Sequence, residues 1–270
     1  MIKIDDKVIK VEHFPDGTQR LNCLPKTSSY SDLLFKWNYE SDEELVTLIF
    51  LVKHLRNIGF NQDFLLFLDY IPNARMDRTH YKEEVFTLKY FCDIINDLQF
   101  SHVVVLDPHS NVSTALLDRV IVNTPEEAIV QVINELNDKN LVLFFPDSGA
   151  AKRYSSMFPE YKYIYGNKVR RWEDGVIIGT EIVNPFNVDI ENKTILIIDD
   201  ICSRGTTFVK SAEALKNHNV GDIYLWVTHC ENTILEGEVL TSGLIKKVFT
   251  TDSIFTEEHE KVEVFQYGKY

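Results

Sequence analysis

The 270-residue chain predicts an α/β protein built as two halves, each a mainly parallel sheet flanked by helices. Three observations carry this. Short apolar, β-branched runs alternate with stretches of helical period along much of the chain. Polar clusters end four of the predicted strands: Asn73-Ala74-Arg75, Asp107-Pro108-His109, Pro146-Asp147-Ser148-Gly149 and Asp199-Asp200. In parallel sheets ligands gather at that edge. A junction near residues 120–128 divides the pattern into halves at 1–123 and 124–252, and 253–270 is expected to pack back on the first half.

Residues 2–13 alternate as one strand, and His13-Phe14-Pro15-Asp16-Gly17 follows as a turn with the Asp-Gly hairpin signal. Residues 21–24 resume extended structure. Ser41 with Glu44 three residues on reads as a capping box, opening a helix with Leu45, Leu48, Ile49, Val52 and Leu55 on one face. Residues 64–69 form a buried strand, 70–80 a polar loop, 83–98 a helix and 101–106 a further strand. Pro125 sits in the first turn of the next helix, and a strand at 141–145 runs into Pro146-Asp147-Ser148-Gly149. A helix at 150–158 and a strand at 161–165 lead to a long polar connection over 166–192 with a β-like patch at 176–178.

The most informative stretch is residues 194–208. Thr194 to Ile198 is a buried strand ending in Asp199 and Asp200, then Ser203-Arg204-Gly205-Thr206-Thr207 turns into a helix opened by Phe208. Strand, tight loop and helix N-terminus point backbone N–H groups at an anion. Ser203, Thr206 and Thr207 add hydroxyls, and Gly205 permits positive φ. Two acids at a buried strand end are costly unless something uses them. Beside an anion hole they suit sugar hydroxyls, so the stretch reads as a ribose phosphate site.

Composition narrows the field. A net charge of −13 argues against a nucleic-acid partner, whose phosphates demand a basic footprint. Cys23, Cys92, Cys202 and Cys230 show no C-x-x-C pair, which gives neither a zinc site nor a disulfide framework, and reduced thiols fit a cytoplasmic protein. The N-terminus reads as no signal peptide, and no apolar run reaches membrane-spanning length.

Taken in order, these residues resemble the ribose-phosphate pyrophosphokinase family, the synthetases of phosphoribosyl pyrophosphate, nearly end to end. Phe14-Pro15-Asp16-Gly17 resembles its F-x-D-G-E turn, and residues 70–78, with Ala74-Arg75-Met76-Asp77-Arg78, its Y-A-R-Q-D-R loop. Asp107-Pro108-His109 is similar to its D-L-H, residues 146–153 to its P-D-x-G-G-x-x-R, and Lys168-Val169-Arg170 to its K-R-R loop. Residues 199–207 resemble its D-D-x-x-D-T-x-G-T loop, and Thr228-His229 its late T-H.

The resemblance implies two tandem phosphoribosyltransferase-like domains and transfer of the β,γ-diphosphoryl group of ATP to the anomeric hydroxyl of a ribose 5-phosphate moiety, releasing AMP. It implies Mg²⁺ as cofactor and ATP as co-substrate. Lys168, Arg170 and His109 become the catalytic expectations, and Phe14, Asp16, Arg75, Asp77 and His109 the ATP contacts. Phe14 and Asp16 would come from a neighbouring subunit of a homo-oligomer that shares its ATP site. Asp147, Asp199, Asp200, Ser203, Arg204, Gly205, Thr206 and Thr207 would hold the ribose phosphate, and His109 and Asp147 the metal. A simple phosphoribosyltransferase would share the 199–207 loop without needing the Arg75–Arg78 stretch. A regulatory homologue would be expected to lose Lys168 and Arg170.

The chain departs from the pattern in several places. Thr18 stands for an acid and Met76 for Gln, both where the family recognises adenine. Ser203 stands for Asp, Arg204 for Thr and Thr206 for Gly, so the loop loses an acid and gains a cation. Thirteen residues precede Phe14, fewer than the family's first strand–helix unit requires, and its C-terminal helix is not evident. These features resemble a divergent, short, phage-like branch. In phage NAD-rebuilding pathways a related enzyme acts on ADP-ribose, whose 5′-diphosphate suits an added cation.

Overall fold

The computed structural model describes residues 1–23, 32–170 and 177–267, the side chains of 168–170 and 177–178 excepted. The chain separates into two units, Met1–Thr124 and Pro125–Tyr270.

In the first unit, β1 (Ile2–Ile4) folds back on β2 (Lys7–Val8) through Asp5 and Asp6, both at positive φ. Two left-handed residues in succession match the strand twist of a tight hairpin. The strand expected over 2–13 is therefore three short ones, the third being β3 (Val11–His13), which pairs antiparallel with β4 (Gln19–Leu21) in a ribbon of its own. Residue 24, the end of the predicted extended stretch, lies outside the described residues.

Next come β5 (Leu33–Trp37), α1 (Glu43–Asn57), β6 (Phe64–Leu68), α2 (Thr87–Asp97), β7 (His102–Leu106), α3 (Asn111–Leu116) and β8 (Val120–Asn123). The six-stranded sheet runs β2-β1-β5-β6-β7-β8, with β5 to β8 parallel. Helix α1 buries Leu48, Leu51, Val52 and Leu55 at helical spacing, and Phe35, Phe64 and Phe100 meet at ring distances of 5.3 and 5.5 Å. The capping box is not formed. Asp42 is the N-cap, without a side-chain cap bond, and Glu44 instead accepts from the Trp37 indole N–H and the Glu40 N–H, both at 2.9 Å. Helix α2 starts at Thr87, later than its apolar period suggests.

The second unit contains α4 (Glu126–Leu136), β9 (Val142–Phe145), α5 (Ser148–Tyr154), β10 (Tyr163–Arg170), β11 (Ile177–Val183), β12 (Ile195–Cys202), α6 (Thr206–Lys216), β13 (Ile223–Cys230), a 3₁₀ turn (Asn232–Glu236), β14 (Lys247–Thr251) and β15 (Val262–Phe265). Its seven-stranded sheet runs β11-β10-β9-β12-β13-β14-β15, parallel except for the β10–β11 pair. Three differences from the sequence reading stand out. Much of the expected polar connection over 166–192 is the β10–β11 ribbon, which holds Lys168 opposite Thr180. Strand β12 runs past Ile198 to Cys202, so both acids lie within it. The segment expected to pack on the first half supplies β15 to this second sheet, where four backbone pairs with β14 fix its register. Glycine at 166, inside β10, is required because a Cβ there would approach the Pro146 carbonyl oxygen to 2.7 Å.

Candidate active site

Chain direction reverses at one place in the second sheet. From β9 the chain adds β10 on one side and later returns to add β12 on the other, so the carboxyl ends of β9 and β12 flank a switch point. Open α/β sheets bind ligands in the crevice at such a point. Asp147 follows β9. Its Oδ1 accepts from the Gly149 and Ala150 N–H groups, both at 3.0 Å, so it caps α5. Asp199 and Asp200 lie in the carboxyl-terminal half of β12. Burial holds the Asp199 carboxyl well above the usual carboxylate range, and the negative charges of Asp200 and Asp147 push it the same way. Asp200 is buried, with the Arg153 Nη1 of α5 at 3.2 Å from its Oδ2. Three acids and one guanidinium thus meet where β9 and β12 end.

The loop after β12 is the one the sequence predicts as an anion site. Gly205, at φ +75°, is the N-cap of α6, which opens with Thr206 and Thr207 and leaves its first N–H groups without intrahelical partners. No other residue fits at 205, since a Cβ there would overlap Val239 Cγ2 and stand 3.4 Å from Cys202 Sγ. Ser203 Oγ is 3.1 Å from Thr233 Oγ1, which donates to Glu231 Oε2 at 3.1 Å. Arg204 Nη2 donates to Glu236 Oε2 at 2.8 Å. The expected gain of free positive charge is corrected by that contact: in this state the Arg204 cation faces a carboxylate.

In the first unit, β6 and β7 are parallel neighbours, so the loops after them leave the same sheet edge. Asp69, buried at the end of β6, accepts from Asn38 Nδ2 at 3.3 Å and lies 3.5 Å from Lys36 Nζ. The loop beyond turns at Asn73 (φ 63°) and presents Arg75 to solvent, while Asp77 pairs with Arg78 Nε at 3.0 Å. Asp107, buried at φ 40°, ends β7, and its N–H donates to the Asn123 carbonyl of β8; half-buried His109 follows. On the separate β3–β4 ribbon, Phe14 is half exposed. Asp16 accepts from the Thr18 N–H and hydroxyl at 3.0 and 2.7 Å, and these bonds hold its carboxyl below its usual value.

The phosphoribosyl transferase domain model matches residues 114–264, more than half of the chain and nearly all of the unit that holds the acids and the anion loop. The chain belongs to the phosphoribosyl transferase domain family. It is also similar over most of its length to proteins named ribose-phosphate pyrophosphokinase. That of Thermococcus kodakarensis is 27% identical over 251 residues, covering 92% of this chain and 86% of the relative. That of Pyrococcus abyssi is 25% identical over 262 residues, covering 96% and 88%. Among solved structures, the phosphoribosylpyrophosphate synthetase from Mycobacterium smegmatis superposes with a TM-score of 0.78 at 17% identity, covering 96% of this chain and 86% of that one. The two-unit α/β fold with mainly parallel sheets is therefore the fold of that synthetase, built from phosphoribosyltransferase-like domains.

Within this phosphoribosyl transferase frame, Asp147, Asp199 and Asp200 lie close enough to act on one another, and residues 203–207 lead from β12 into α6. The remaining expected residues stand on other elements. Phe14 and Asp16 sit on the ribbon, Arg75 and Asp77 beyond β6, and His109 beyond β7. Lys168 and Arg170 have their backbones on β10, and their side chains lie outside the described residues. Sequence reasoning missed Arg153 as partner of Asp200, and Glu231, Thr233, Glu236 and Val239 as the wall of the anion loop. It also missed Lys36 and Asn38 beside Asp69. All are contacts between residues far apart in sequence, which local spacing does not signal. Among the described residues no three of His, Cys, Asp and Glu gather into a metal cage, and no helix is long and apolar enough to cross a membrane.

Proposed function

We propose that this chain is a pyrophosphokinase that moves the β,γ-diphosphoryl group of ATP to the anomeric hydroxyl of a ribose 5-phosphate moiety, forming the new O–P bond as AMP leaves. The observation that carries the reading is the pairing of an open helix N-terminus with buried acids at a sheet switch point. The names of the relatives, alike over most of both chains, support it.

In this reading Asp199 and Asp200 take the ribose hydroxyls. A diol donating to these oxygens relieves a cluster whose ionisation burial opposes. The α6 N-terminus with Thr206 and Thr207 takes the 5′-phosphate, and Gly205 lets the backbone adopt the required turn. Lys168 and Arg170 neutralise the transferring group, and Arg75 and Asp77 contact the nucleotide. Phe14 and Asp16 would serve a neighbouring copy's ATP in a homo-oligomer. Mg²⁺, when bound on the polyphosphate, supplies charge neutralisation and needs only one or two protein ligands. The Asp147 carboxylate suits it. The His109 imidazole suits a phosphate oxygen better than this hard cation. Catalysis of this kind is chiefly positioning and electrostatic stabilisation.

The acceptor is ribose 5-phosphate or ADP-ribose, and the second rests on Arg204, the cation placed in the anion loop. The deciding experiment is AMP release from ATP and Mg²⁺ with mass spectrometry of the products, offering both acceptors side by side. A diphosphate added to either bears the reading out and names the acceptor. No AMP with either would point to a regulatory homologue, and consumption of phosphoribosyl pyrophosphate with a free base to a simple phosphoribosyltransferase.

A further inference from the structure

We infer that Thr233 is a positioning residue of the acceptor site, holding the Ser203 hydroxyl and with it the loop that opens α6. The inference rests on the acceptor site proposed above and deepens it.

Proton counting fixes the direction of the contact. A threonine hydroxyl has one proton to give and lone pairs with which to accept. Thr233 Oγ1 gives its proton to Glu231 Oε2 at 3.1 Å. In its other contact, with Ser203 Oγ at 3.1 Å, Ser203 must therefore be the donor. The Ser203 proton is thus spent within the protein. The sequence-based expectation that this hydroxyl adds a donor for a phosphate does not hold in this state. The donors left for an anion are the first N–H groups of α6 and the hydroxyls of Thr206, which is exposed, and Thr207, which is half-buried.

The turn that carries Thr233 is itself held firmly. The Glu231 N–H donates to the Cys202 carbonyl at 2.8 Å, which extends the β12–β13 pairing to the start of the loop. Asn232 Nδ2 donates to Thr256 Oγ1 at 2.7 Å, and Asn232 Oδ1 accepts from the Thr256 N–H at 3.0 Å. Ile234 is fully buried. Gly237 abuts the Arg204 backbone so closely that a Cβ would stand 2.7 Å from the Arg204 carbonyl carbon. A loop bonded to so fixed a point is ordered before any ligand arrives, so the cost of ordering falls on folding and not on binding. Glu231 sets the direction of both hydrogen bonds while its own charge stays off the loop.

The test compares Thr233→Val, Ser203→Ala, both together, and Thr233→Ser. Ribose 5-phosphate and ADP-ribose are each titrated calorimetrically without ATP and each assayed with ATP and Mg²⁺. T233V keeps the side-chain shape and removes both bonds. It is expected to weaken binding of the accepted substrate about fivefold, the loss of one hydrogen bond. Its KM is expected to rise by the same factor with kcat within about twofold. T233S is expected to restore both values. S203A is expected to cost as much as T233V, and the double variant no more than either, because the two side chains act through one contact. Additive losses, or an unchanged affinity in T233V, overturn this inference alone. So does tighter binding by T233V, the result expected if Ser203 were a phosphate donor freed from a competitor. Loss of stability in urea with affinity retained reduces Thr233 to a structural residue and overturns it too. No saturable binding of either acceptor to the wild type overturns the acceptor site as well.

Discussion

The two sheets share a parallel core and differ in how the chain lays it down. In the first unit β5, β6, β7 and β8 are added in one direction, each beside the last. In the second the chain reverses at β9 and β12, and the acids and the anion loop lie at that reversal. Two positive-φ glycines express the same contrast. Gly17, in the turn of the β3–β4 ribbon, has nothing within 4 Å of where a Cβ would stand, whereas Gly205 is walled in by Val239 and Cys202. One turn is exposed, open to contact from outside. The other is enclosed by the packing of its own unit. The lesson is that the second unit carries its site in its own packing, and the first offers loops.

That contrast can be broken at several points. Gly205→Ala combines a strained left-handed residue with an overpacked contact and is expected to destabilise the second unit by about 3 kcal/mol, read by urea unfolding. Adding Val239→Ala is expected to restore part of this, and no recovery would remove the steric account. Asp200→Asn is expected to lower turnover about 100-fold with the fold retained, because it weakens hydrogen bonds to the acceptor hydroxyls. A turnover within a fewfold of wild type would detach the acids from the acceptor.

Asp199→Asn sharpens the comparison through pH. The folded chain keeps the Asp199 proton to higher pH than the unfolded chain does. Between the ordinary carboxylate range and that raised value the folded state binds more protons, so stability falls as pH rises through the window. In the metal-free protein the variant is expected to lack this fall, matching wild type at the acid end and exceeding it above. Parallel stability curves across the window would contradict it. The smallest effect is Gly17→Ala, which meets no neighbour and is expected to lose only about 1 kcal/mol of left-handed strain. A loss as large as that at Gly205 would erase the distinction.

The parallel cores were legible because buried strands read as short apolar runs, as residues 64–68 and 195–198 do. The turn from β12 into α6 was legible because strand, acids, small residues and helix follow one another in sequence. Of the β10–β11 ribbon only the β-like patch at 176–178 was, since Asn167, Lys168 and Thr180 break the apolar alternation and the rest of its identity lies in backbone pairing. The capping box misled because Glu44 faces two donors outside its own helix start, Trp37 Nε1 and the Glu40 N–H. Glu236 and Arg204 are 32 positions apart, so their contact, which changes the meaning of the added cation, exists only after folding.

Cys202 and Cys230 are paired in register on β12 and β13, both fully buried, and the hydrogen bond with Cys230 together with burial pushes the Cys202 thiol well above its ordinary value. Only a thiolate reacts quickly with an alkylating reagent. Cys202 is packed in the core behind Gly205 and beside Val239, so its labelling is expected to need that packing to open. Timed alkylation mapped by mass spectrometry would report how often it opens, and how far a bound acceptor slows it, without any introduced probe.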